Sequence, residues 1–102
     1  MQNILTIEEV RTSLRLDGDY PTEELNELSV LATSFVYQMT NFTLPLKTSN
    51  QNEILPLVKQ LCKLFLKQNY YGKSGYDIEQ SMDYTIGING LIEVIKNYVQ
   101  FN

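Results

Sequence analysis

The chain has 102 residues, 43% of them hydrophobic and 20% charged, which suits one globular domain (residues 1–102) with one modest core. Its formal net charge is −4, and eight Lys and Arg are scattered singly, which argues against a dedicated nucleic-acid binder because such proteins need a basic patch for phosphates. No apolar run approaches the ~20 residues of a spanning helix, MQNILTIEEV has no basic leader pattern, and a single cysteine, Cys62, fits a reducing compartment.

The first element is marked at its start. Thr6 and Glu9 form the Thr-x-x-Glu capping box, in which each side chain satisfies the other residue's free backbone N–H. Leu5 and Val10 have the spacing of a hydrophobic staple, and Ile7, Val10 and Leu14 share a helical face. Arg11 and Arg15 suit the negative end of the helix dipole, and Gly18 in LDGD is the natural stop. The spacing predicts a helix over Ile7–Leu16.

A second start follows at once. Pro21 fits the first helical position, and Glu23, Glu24 and Glu27 suit the positive helix end. Leu25, Leu28, Leu31, Ala32, Phe35, Met39 and Phe42 then form a stripe of about 30 Å, with Val30 and Val36 off it, which allows the helix a second buried side. Phe42–Asn52 reads as a loop through Pro45 and a polar tract. A third helix, Glu53–Tyr70, carries Ile54, Leu57, Val58, Leu61, Cys62 and Phe65, with Pro56 in its first turn. So apolar a helix belongs at the centre.

From Gly72 to Gly90 the helical period is lost. Tyr76 and Ile78 flank Asp77, and Tyr84, Ile86 and Ile88 alternate with Thr85 and Gly87, a period of two that predicts short extended strands or a hairpin. The segment is too long and too apolar for a free linker. It either folds back on its own helices or pairs with a neighbouring subunit by edge addition. A short helix, Leu91–Phe101, closes the chain. The expected fold is therefore mainly α: a small bundle of about four helices, two of them long, with a hairpin-like segment before the last. Val10, Leu14, Leu28, Phe35, Leu57, Leu61, Phe65 and Ile95 are the expected core.

No catalytic constellation emerges. The chain has no histidine, the commonest general base and metal ligand, and Cys62 lies on an apolar stripe where a thiol is inert. An EF-hand loop begun at Asp17 would place Pro21, Thr22 and Leu28 where a ligand, glycine and glutamate are needed. Helix capping accounts for the clustered Glu8, Glu9, Glu23, Glu24 and Glu27. No catalytic, metal or cofactor residue is assigned, and no cofactor is expected.

The order of parts resembles a known family. LTIEEVRTSLRLDGDYPTEELNELSVLATSFVYQMTN is similar to the opening of the head–tail connector (adaptor) proteins of long-tailed bacteriophages, also labelled phage DNA-packaging proteins. Leu5–Val10, Leu14–Asp19 and Glu23–Leu28 carry the likeness. ILPLVKQLCKLFLKQNYY looks like the family's central helix, with Pro56 and Tyr70 or Tyr71 in the matching places, and IGINGLIEVIKNYV resembles its closing segment. The resemblance implies a non-enzymatic subunit of the virion neck, made in the host bacterial cytoplasm. About twelve copies would form a ring beneath the portal protein, extend the DNA channel without sequence-specific binding, and dock a stopper or tail-completion protein. Tyr76, Ile78, Tyr84, Ile86 and Ile88 are then candidate subunit contacts. Two other readings stand beside it: a different neck part (stopper or tail terminator), or a small acidic helical regulator or inhibitor of a host protein.

Overall fold

The computed structural model describes residues 2–44, 49–72 and 78–101, without the side chains of 49–51, 70–72, 78–85 and 100–101. Among the described residues there are four α-helices: α1 (Ile7–Ser13), α2 (Thr22–Thr40), α3 (Leu55–Gly72) and α4 (Ile78–Phe101), with a 3₁₀ segment, Ser49–Ile54, leading into α3. The protein is mainly helical, and no strand occurs among the described residues.

α1 begins as its sequence dictates. The Thr6 side chain accepts from the Glu9 N–H and Glu9 accepts from the Thr6 N–H; Leu5 and Val10 are both buried, closing the staple. Its end departs from expectation. The helix stops at Ser13, and the left-handed residue is Arg15, at φ 56°, rather than Gly18. The Leu16 N–H reaches the Arg11 carbonyl at 3.0 Å and the Arg15 N–H reaches Thr12 at 3.2 Å. These are the paired bonds of a Schellman end, which usually carries glycine at the left-handed position. Here that position is held by arginine, at a steric cost of about 1–2 kcal/mol.

α2 buries a second side beside the one its leucines mark: Leu25 and Ala32 belong to both, Leu28 and Phe35 are half-buried against the core, and Val36 lies on the second. Its buried residues are Leu25, Ser29, Ala32, Thr33, Val36 and Thr40, a stripe rotated by about a quarter turn from the expected one at 100° per residue. Leu31 and Met39 are 49% and 46% exposed. The cause lies in residues 3–5, which lie against α2 outside any helix or strand. Ser29 Oγ donates to the Leu5 carbonyl at 2.6 Å, and Thr33 Oγ1 accepts from the Ile4 N–H at 3.0 Å. Buried backbone polar groups need such partners. With Ile4 and Leu5 themselves buried, the hydroxyl face is the one that must point inward. Thr40 repeats the device at the helix end, donating to Val36 and accepting from the Phe42 N–H, while Asn41 turns left-handed at φ 65°.

α3 is the central element, packing most extensively on α4 and next on α2. Val58, Leu61, Cys62 and Leu66 are buried, and Phe65 stacks on Phe35 of α2 with centroids 4.1 Å apart. Among the expected core residues, Val10, Leu14, Leu61 and Ile95 are buried, and Leu28, Phe35 and Phe65 pack against the core half-buried. Leu57 is 40% exposed: it lies about 100° round the helix from Val58, at the edge of the buried face.

α4 corrects the expected hairpin and short terminal helix. Ile78–Phe101 is one helix of 24 residues, about 36 Å long and close to the longest dimension of the molecule, 39 Å; 73–77 of the expected hairpin lie outside the described residues. Ile88 and Ile95 are buried, with Leu91, Ile92, Tyr98 and Val99 around them, a period of three to four that continues back through the glycines. Gly87 explains why a poor helix former is placed there. A Cβ at that position would meet Leu64 Cδ1 of α3 at 3.3 Å, so its absence lets the two helices approach.

Candidate interaction surfaces

The only cysteine is no nucleophile. Cys62 is fully buried, 4.0 Å from the Ala32 carbonyl. Burial, with the nearby Glu9 carboxylate adding to it against Lys59, pushes its pKa to about 12, so the thiol stays protonated at neutral pH. Among the described residues no three His, Cys, Asp or Glu side chains group to hold a metal. No helix among them is long and apolar enough to cross a membrane.

The ionic contacts are structural. Lys59 of α3 reaches Glu9 of α1 at 2.9 and 3.2 Å, tying the capping box to the central helix. Burial alone would raise the Glu9 pKa, but the Thr6 N–H and the Lys59 ammonium outweigh it and hold the group below the ordinary carboxylate value. Arg11 pairs with Glu8 within α1, and its Nε is buried without a partner among the described residues.

What the molecule offers is surface. Ile86 is 68% exposed and Val94 50%, and with Gly90 they stand at i, i+4 and i+8 on the outer face of α4. On α2, Val30 and Tyr37 are exposed seven residues apart. The five candidate contacts of the sequence do not gather on one face. On a helix Ile86 and Ile88 lie about 200° apart; Ile86 faces outward and Ile88 is buried in this chain's own core. Ile78 and Tyr84 are on α4 but their side chains, like the whole of Tyr76, lie outside the described residues.

Sequence reasoning missed a basic row. Lys59, Lys63 and Lys67 stand at i, i+4 and i+8 on α3, and the last two line a groove against α1. Their spacing was the available signal, hidden by treating each lysine as isolated. Compared with protein-family models, curated proteins and solved structures, the chain has no match.

Proposed function

We propose that the chain is a structural ring subunit of a long-tailed phage neck. About a dozen copies bind beneath the portal, extend its channel and provide the platform on which a stopper or tail-completion protein docks. No bond is made or broken in this role. The reading begins from the likeness at Leu5–Val10, Leu14–Asp19 and Glu23–Leu28. One observation carries it furthest: large apolar side chains stand exposed on helices whose inner faces already fill a core, Val30 and Tyr37 on α2 and Ile86 and Val94 on α4. Such exposure is what a subunit leaves for its neighbours. Ile86 remains a subunit contact and Val94 joins it; Ile88 leaves that set, being part of the monomer's core.

The charge is compatible with a channel. Copies that each carry −4 make an acidic ring, and like charge keeps the passing genome from adhering. Deleting the gene from its phage tests the assignment. Micrographs are expected to show separate heads and tails; normally joined, filled and infectious virions would contradict it.

A further inference from the structure

Two charged grooves of this chain match one another. The first, about 440 Å³, has Glu8, Thr12 and Ser13 of α1 on one wall and Gln60, Lys63 and Lys67 of α3 on the other. A second depression of about 450 Å³ shares Lys63 and continues to Leu55 and Pro56. Glu8 is neutralised by Arg11 and Glu9 by Lys59. Lys63 and Lys67 form no ion pair among the described residues, so the groove keeps uncompensated positive charge.

The other groove, about 330 Å³, lies on α2 and the corner before it, with Leu28 and Leu31 beside Tyr20, Glu24 and Glu27. Glu24 and Glu27 are exposed, as are Asp17, Asp19 and Glu23 just before them. None of these carboxylates has an ion-pair partner among the described residues. Leu31 on this side and Leu57, next to Pro56, on the other are both large exposed apolar residues.

We propose that a second copy of this chain seats its Glu24–Glu27 groove on the Lys63–Lys67 groove of the first. Glu24 and Glu27 are separated by about 4.5 Å along their helix and Lys63 and Lys67 by about 6 Å, a difference that the flexible lysine stems absorb. The carboxylates meet the ammonium groups, and Leu31 meets the apolar shoulder at Leu55 and Pro56. Because the two surfaces differ, a joined pair keeps a free Glu24–Glu27 groove on the first copy and a free Lys63–Lys67 groove on the second, and the contact is head-to-tail, the type that closes into a ring when its rotation closes. A polyanion such as DNA fits the lysines less well, since the chain as a whole is acidic, with a formal charge of −4. The contact deepens the neck reading by naming which faces meet, and its place in a ring rests on that reading.

Charge reversal tests it. Lys63→Glu with Lys67→Glu forms one variant and Glu24→Lys with Glu27→Lys the other, each checked for a native circular dichroism spectrum. In sedimentation at low salt, the wild type is expected to self-associate and each variant alone to do so about a hundredfold more weakly. Mixing the two variants is expected to restore association, because every junction then joins opposite charges; high salt should weaken all of it. A wild type that is monomeric at every concentration overturns the proposal. So does failure of the mixture to recover, or a lysine variant that loses only affinity for a labelled oligonucleotide. Portal-bearing capsids separate this contact from the reading it deepens. If the lysine variant still forms rings on them, the contact is wrong and the neck role stands. If the charge pattern governs self-association but wild type ignores capsids, the contact stands and the neck role falls.

Discussion

The two longest helices, α2 and α4, reach the core by opposite means. The inward face of α2 mixes Leu25, Ala32 and Val36 with three hydroxyls, Ser29, Thr33 and Thr40. The described inward face of α4 is apolar throughout: Ile88, Leu91, Ile92, Ile95, Tyr98 and Val99. α2 needs its hydroxyls because residues 4 and 5 lie against it with backbone groups that only side chains can satisfy. α4 packs side chains chiefly against α3 and then α2, and among the described residues no hydrogen-bonded strap like residues 4 and 5 lies against it. A helix's hydrophobic stripe therefore locates its core face only where the neighbour is another regular element. Where the neighbour is irregular chain, the inward face is set by hydrogen bonding.

Five substitutions sharpen or break that contrast. The largest effect belongs to α4. Asn89→Pro, which removes a helix-interior bond and clashes with the preceding turn, should cost about 3 kcal/mol or more in urea unfolding. Had residue 89 capped a terminal helix after a hairpin, the loss would be small. Next comes the hydroxyl face of α2. Ser29→Ala leaves the Leu5 carbonyl buried without its donor and should cost about 1–3 kcal/mol, whereas Met39→Gln on the leucine side should stay within about 0.5 kcal/mol. Equal losses at the two positions would refute the rotated face. Gly90→Ala is a gain: a Cβ there meets nothing within 4 Å, so helix propensity should add about 1 kcal/mol. The smallest effect is electrostatic. Glu9 titrates below its unfolded value, so its contribution is present above that unfolded value and is lost as pH falls through the folded one. Acidification below about pH 4.5 should therefore lower the urea midpoint of the wild type more than that of Glu9→Gln.

Much of the N-terminal third was legible because its signals are local. Thr6, Glu9, Leu5 and Val10 act within one turn, and no distant residue can reassign them. The stop at Arg15 was not legible: Gly18 is the better left-handed residue by intrinsic preference, and the Schellman bonds formed three positions earlier. α4 was misread for a related reason. Tyr84, Ile86 and Ile88 alternate as a strand would, and Gly87 and Gly90 look like breakers. Yet Ile88, Leu91, Ile92, Ile95 and Val99 keep helical spacing, and the close approach of Leu64 gives Gly87 a reason that only the packed structure supplies. The surfaces were half visible. Ile86 was singled out in the sequence, whereas the lysine row on α3 emerges once α1 is laid beside it.

The central claim is that this helical block works in the neck by joining its neighbours through its exposed apolar faces. Heads purified from phage lacking the protein, mixed with free tails and the purified chain, test that claim directly. Wild type should restore infectious particles and place ring density beneath the portal, and the Ile86→Asp, Val94→Asp double variant should not. Heads that stay bare with wild type, or that are rescued equally by the variant, would contradict the account.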